Sequence, residues 1–273
     1  MQGGRAPAQT MTGPELTRSA ILDGLSTRCL GRRVLYYPRL DSTNAVAKAL
    51  AAQGAAEGTL VIADEQTAGR GRLARRWLAP PGTSLLFSLI LRPQLEIARA
   101  VGLTMICGLG VREAIRELTT LPAQLKWPND ILLYGRKVGG ILTEAGTSRG
   151  HLNWVVVGIG LNVNLEVAAL PAEFGATSLQ HELGQPTSRV QLLQQALLRI
   201  EQRYERLQAG QWPVHEWSTA LETLGQRVQL RTAGGAVDGL AEAVDDEGAL
   251  LLRLDDGQQQ RVWVGDIVAR PDE

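Results

Sequence analysis

Two apolar, strand-like runs, residues 131–134 and 138–145, are joined by little more than Tyr134-Gly135-Arg136. A connection that short folds one strand back on the other, whereas parallel neighbours need a crossover of about a dozen residues or more. Further strand signals at 34–37, 59–63, 84–91, 125–127 and 154–159 alternate with helical ones. An alanine-rich helix is expected over 45–53, capped by Asp41 or Ser42 and closed by Gly54. A long, mostly buried helix is expected over 95–118, and an amphipathic one after Thr187-Ser188. In that last helix Val190, Leu193, Leu197, Ile200, Tyr204 and Leu207 recur at spacings of three and four, a face that packs on a core.

After Trp217 the pattern changes to short strands at 227–232, 237–244, 249–254 and 261–264, separated by tight turns such as Asp255-Asp256-Gly257. This predicts a small β-barrel of about fifty residues, similar to an SH3 barrel. Residues 1–14 hold three glycines, two prolines and little apolar content, so a flexible tail is expected there, followed by one short helix over 15–30. The predicted organisation is a tail and helix over 1–30, a main domain over 31–220 and the barrel over 221–273.

Lys plus Arg and Asp plus Glu both total 28, so no global charge is available to attract nucleic acid. The two cysteines, Cys29 and Cys107, lack metal-ligand spacing and are expected to be free thiols in a reducing cytosol. No apolar stretch approaches the roughly 20 residues of a membrane span. His151, His181 and His215 form no metal or triad pattern, and no metal ligands are identified.

The chemistry concentrates in residues 66–77, Gln-Thr-Ala-Gly-Arg-Gly-Arg-Leu-Ala-Arg-Arg-Trp, where four arginines follow within seven residues of one another, beside Gly69 and Gly71. Glycines let backbone N–H groups approach an anion, and arginine offers a permanent charge in a planar fork suited to phosphate or carboxylate. Taken alone, the cluster is equally a solvated basic turn or a nucleic-acid contact. Three later segments narrow the choice: Lys126-Trp127-Pro128-Asn129-Asp130, the run 137–144 beginning Lys-Val-Gly-Gly, and the run 158–164, Gly-Ile-Gly-Leu-Asn-Val-Asn. All three set polar groups at strand ends, and the last two set them beside glycines, as a pocket requires.

With Asp41-Ser42-Thr43-Asn44 upstream, these segments resemble the biotin protein ligase family in order and spacing. The resemblance implies an α+β fold: a class II aminoacyl-tRNA synthetase-like catalytic domain, with a mixed, largely antiparallel sheet and helices, followed by the SH3-like barrel. It implies activation of biotin by ATP to biotinyl-5′-AMP, with Mg2+, and transfer to a lysine of a biotin carboxyl carrier protein. Arg72, Lys126 and Asp130 are the implied catalytic residues. Biotin would meet Ser42, Thr43, Asn44, Gln66, Arg70, Gly71, Arg72, Lys137, Gly139 and Gly140. ATP would meet Arg72, Arg75, Trp77, Lys126, Asn129 and Asn162.

Read on their own, Ser42 and Thr43 are helix-capping residues, Gly139-Gly140 a strand bulge and Trp77 ordinary core. One departure from the family's loop stands out. The position between its arginine pairs, commonly glycine, is Ala74, which would resist a left-handed conformation.

Relatives imply a possible homodimer through an exposed strand edge, in a cytoplasmic enzyme. The segment ahead of the matched region is too short for the DNA-binding winged helix of some members, so ligation without repression, no DNA partner and no membrane are expected. A biotin-sensing repressor and a lipoate or octanoate transferase are the competing readings.

Overall fold

The computed structural model describes residues 15–169, 175–232 and 235–268; the tail expected over 1–14 lies outside them. Thr17 caps a short helix, α1 (Arg18–Leu22), its side chain accepting from the Ala20 N–H. The rest of the 15–30 segment is irregular. It is held by one buried carboxylate, Glu201, which accepts from the backbone N–H groups of Arg28, Cys29 and Leu30 at 2.7, 2.7 and 2.8 Å. Glu201→Ala leaves these donors without a partner, and each such loss costs about 1–3 kcal/mol. The expected fall in unfolding free energy, read by urea denaturation, is therefore about 3 kcal/mol or more. A fall under ~1 kcal/mol would contradict this role for Glu201.

The main sheet runs in the order β1 (Val34–Leu40), β2 (Leu60–Gln66), β3 (Ser84–Leu91), β7 (His151–Asn162), β6 (Arg136–Ser148), β5 (Asp130–Leu133), β4 (Gln124–Lys126). Only β1 and β2 pair in parallel, through the crossover helix α2 (Thr43–Ala52); every other neighbouring pair is antiparallel. The β5–β6 turn has φ of 49° at Tyr134 and 71° at Gly135, matching the right-handed twist of the strands it joins. The β6–β7 hairpin extends well past the predicted 145 and 154. Its outer part carries Gly146 and the exposed, polar Thr147 and Ser148, which read as loop in the sequence although the backbone continues to pair.

All eight residues of β3 are buried because both faces of the sheet are covered. One face packs under α3 (Val101–Thr119) and α5 (Arg189–Gln208). The other packs under α2, where Ala47 and Ala51 meet Val61, Ile90 and Val156. The helix predicted from 95 begins only at Val101, after a 3-10 turn, Ile97–Ala100. Its start is fixed by tertiary contact: the Trp212 indole lies so close to Gly102 that an added Cβ would come within 2.5 Å of the ring. Short helices α4 (Leu179–Leu183) and α6 (Val214–Ala220) flank α5.

The C-terminal part is a five-stranded antiparallel sheet in the order β11 (Gln259–Val262), β10 (Leu250–Arg253), β9 (Gly235–Val244), β8 (Arg227–Thr232), β12 (Asp266–Val268). β12 was not foreseen, since three residues after Gly265 carry too little pattern. This barrel docks on the main domain. Trp127 Nε1 donates to the Gly248 carbonyl at 3.2 Å, and Trp212 Nε1 to that of Asp246 at 2.6 Å.

Candidate active site

The arginine and glycine segment folds as a small hairpin off the end of β2. Trp77 N–H donates to the Gly69 carbonyl at 2.9 Å, Gly71 N–H to that of Arg75 at 2.7 Å, and Arg75 N–H to that of Arg72 at 3.1 Å. The Gly71 N–H is thus used inside the loop, so anion contact there falls to the arginine side chains. Gly69 is needed for close approach, since a Cβ would lie 2.7 Å from the Trp77 carbonyl oxygen. The left-handed residue of the loop is Leu73, with φ 52°, and not Ala74 as the family pattern suggested. Leu73 is 64% exposed, so its side chain gains little from packing to offset a conformation costing about 1–2 kcal/mol.

Arg72 turns inward from this hairpin. Its guanidinium donates to Asn129 Oδ1 at 3.1 Å and to the Gly265 carbonyl at 3.4 Å, with Asp266 3.9 Å away. Arg75 pairs with the same Asp266 at 2.6 Å. Gly265 and Asp266 thus carry the barrel to the loop through the strand that the sequence concealed. Burial pushes the Arg72 guanidinium below its ordinary value, opposed by the nearby Asp266 and Asp130 carboxylates, and it stays a cation at neutral pH. Asn129 is fixed in turn by donating to the Ile141 carbonyl at 2.6 Å, which leaves its oxygen for Arg72.

Lys137 Nζ donates to Asp130 Oδ1 at 2.6 Å and lies 5.9 Å from the centre of a Trp77 ring. The indole rests on Gly140 and Gly160, which face each other across β6 and β7. A Cβ at Gly160 would come within 2.6 Å of the ring, and one at Gly140 within 3.3 Å. Gly139 faces the opposite way, against Leu161 and Ile131, so the two glycines divide between pocket and core. Lys126 ends β4 opposite Asp130 in register and has no salt bridge among the described residues.

Two buried polar atoms here lack partners among the described residues: the donor Trp77 Nε1 and the acceptor Asn162 Oδ1. The Asn162 amide nitrogen is held by the Thr177 carbonyl at 3.0 Å. An orphaned donor and acceptor in one buried site suit a ligand that supplies both complements. On the other side of the loop, a cleft of about 440 Å³ opens between it and α2, lined by Ser42, Gly69, Arg70 and Arg76 among others.

Ser42 caps α2 through the Ala45 N–H at a long 3.5 Å, so its hydroxyl is only weakly committed. Gln66 Oε1 accepts from Thr43 N–H at 2.7 Å and lies 3.2 Å from Thr43 Oγ1. Ser88, in the middle of β3, bonds both Thr43 Oγ1 at 2.8 Å and Asn44 Oδ1 at 2.6 Å. The sequence reading gave no part to Ser88, Lys48 or Glu144. The available signal was a hydroxyl in the middle of an otherwise apolar strand.

Residues 36–162 match the model of the biotin/lipoate A/B protein ligase family, and residues 223–270 that of the biotin protein ligase C-terminal domain. The bifunctional ligase/repressor BirA of Bacillus subtilis is 38% identical over 93% of this chain and 79% of its own length. The biotin–[acetyl-CoA-carboxylase] ligase of Paracoccus denitrificans is 38% identical over 81% of this chain and 94% of its own. The chain belongs to the biotin protein ligase family. The biotin protein ligase from Aquifex aeolicus, solved in complex with biotin and ATP, superposes with a TM-score of 0.74 at 31% identity, covering 87% of this chain and 98% of that one. The α+β fold with an appended barrel is therefore the family's fold, and the chain is a ligase of this kind.

Proposed function

We propose that the cleft beside α2 holds biotin, that the Trp77 and Asn162 region holds the nucleotide, and that Arg72, Lys126 and Lys137 meet where the two join. The observation that carries this is the convergence of Arg72 and Lys137 on the neighbouring Asn129 and Asp130, beneath a hairpin that abuts both regions.

Biotin's carboxylate must attack the α-phosphorus of ATP, so two anions are brought together and pyrophosphate leaves. Arg72 is a fixed cation whose orientation needs no adjustment during the reaction, and Lys126 adds an uncommitted charge. Lys137, held by Asp130 at 2.6 Å, orients the carboxylate end.

No group of three or more His, Cys, Asp or Glu able to hold a metal occurs among the described residues. Mg2+ is held largely by phosphate oxygens and water with one or two carboxylates, and Asp130, beside Lys137 and near Arg72, would be the carboxylate here. The ion would neutralise charge on the phosphates. In the second step the neutral amine of a carrier lysine attacks the acyl carbon, loses its proton and expels AMP.

The acceptor in this reading is a biotin carboxyl carrier protein of acetyl-CoA carboxylase or a related carboxylase. Incubating the chain with ATP, biotin and such a carrier domain is expected to add one biotinyl mass, and none when the acceptor lysine is replaced by arginine. Labelling that ignores this replacement would contradict specific transfer.

Tryptic cutting across Arg70 to Arg76 is expected to slow when biotin and ATP are added, because bound anions add to the few contacts that hold this hairpin. Equal cutting with and without ligands would sink this role for the loop.

Division into domains 31–220 and 221–273, a homodimer through an exposed strand edge and a cytoplasmic location belong to the same proposal. Two free thiols favour a reducing compartment: Cys29 is exposed, and burial pushes Cys107 up to about 12. No helix of the described residues is long and apolar enough to cross a membrane.

A further inference from the structure

Leu73 combines two costs, a left-handed backbone at φ 52° and an apolar side chain left 64% exposed. Two more exposed apolar residues stand on the barrel side of the contact that joins it to this hairpin. Arg72 reaches the Gly265 carbonyl at 3.4 Å and Arg75 reaches Asp266 at 2.6 Å. Trp263 and Val264, 47% and 59% exposed, immediately precede that pair in the turn between β11 and β12. Leu78, just past the end of the hairpin, is exposed as well. These two segments hold four of the seven large apolar side chains exposed among the described residues, so the exposure is concentrated in one place and not scattered singly.

Trp263 is also held in place. The Arg261 guanidinium lies over its ring, 4.4 Å from the centroid, and is itself paired with Asp245 and Glu247. A tryptophan fixed before a partner arrives loses little freedom on binding, and rings of this kind are common anchors of protein interfaces.

The position of the patch selects its occupant. The mixed anhydride forms beneath this hairpin, where Arg72 and Lys137 converge, and an acceptor lysine reaches it on a stem only four carbons long. The backbone of the acceptor protein must therefore come down to the rim of the site, beside the hairpin and the barrel turn. A second copy of this chain seated there would close the mouth to that lysine.

We propose that Leu73, Trp263 and Val264 form a docking surface for the carrier domain, which meets them with apolar side chains close to its acceptor lysine. The surface serves the transfer step and takes no part in making the adenylate. This rests on the reading of the reaction given above.

The test compares the two half-reactions on the full chain. Trp263→Ala and Val264→Ser, both in an exposed turn, are each expected to raise the KM for the carrier domain about tenfold or more, the usual effect of removing an interface anchor. Biotin-dependent pyrophosphate exchange should stay within about twofold. Transfer of biotin from the adenylate to hydroxylamine, a small nucleophile that needs no docking, should be equally unaffected. Leu73→Asn, whose side chain tolerates the left-handed backbone but is polar, should raise the carrier KM as well.

An unchanged carrier KM in both Trp263→Ala and Val264→Ser would overturn the proposal. A loss of pyrophosphate exchange as large as the loss of transfer would do so too, since the three residues would then serve closure of the hairpin onto the barrel. A change in sedimentation of the variants with no change in carrier KM would assign the patch to a second copy instead. Absence of biotin-dependent exchange in the unsubstituted chain is a separate result, which strikes the reading of the reaction and not this surface.

Discussion

Arg72→Ala is expected to reduce kcat for biotin-dependent pyrophosphate exchange by about 10²–10³-fold, the usual cost of removing one fixed electrostatic stabiliser from a reacting centre. The side chain is half-buried and oriented by two acceptors, Asn129 and Gly265, from two different domains, so its charge is in place before substrates arrive. Arg72→Lys should recover little of the loss. A lysine carries the charge but not the planar fork that reaches Asn129 and Gly265 while still facing a phosphate. A drop below about tenfold in Arg72→Ala would show that the guanidinium binds without acting on the transition state.

Gly158→Ala is expected to be nearly as damaging by a different route. Its methyl would occupy the position of Asn44 Oδ1, and nothing else can give way cheaply, because Ser88, Leu142 and Glu144 hold that amide from the remaining sides. Overpacking costs about 1–3 kcal/mol, and each buried polar group left unpaired adds about as much. Biotin affinity, measured by calorimetry, should therefore weaken by about a hundredfold, or the variant should fold poorly. Wild-type affinity in Gly158→Ala would mean that the Asn44 amide does not shape the pocket.

These two positions illustrate what the sequence discloses. The local cues were sound where one face or one turn decides the outcome: the cap at Ser42, the glycine closing α2, the tight turn at Tyr134-Gly135 and the amphipathic face of α5 all reappear in the structure. The arginine cluster was legible only together with the later strand-end segments, since exposed arginines alone are a solvated turn.

What was hidden depends on register. Gly139 and Gly140 look equivalent in sequence, yet strand alternation sends one to the core and the other beneath Trp77. Ser88 and Glu144 gain a part only because β3, β7 and β6 align them around Gly158. Asp266 reaches Arg72 and Arg75 only because the barrel docks, a contact between residues far apart in the sequence. The left-handed strain at Leu73, one residue before the suspected Ala74, follows from how the hairpin closes and has no compositional signature.

The most direct measurement is pyrophosphate–ATP exchange by the purified chain with biotin, with lipoate and with neither. Exchange that requires biotin, ignores lipoate and collapses in Arg72→Ala is the predicted result. Exchange supported by lipoate instead, or by neither acid, would contradict the assignment of this site to the activation of biotin.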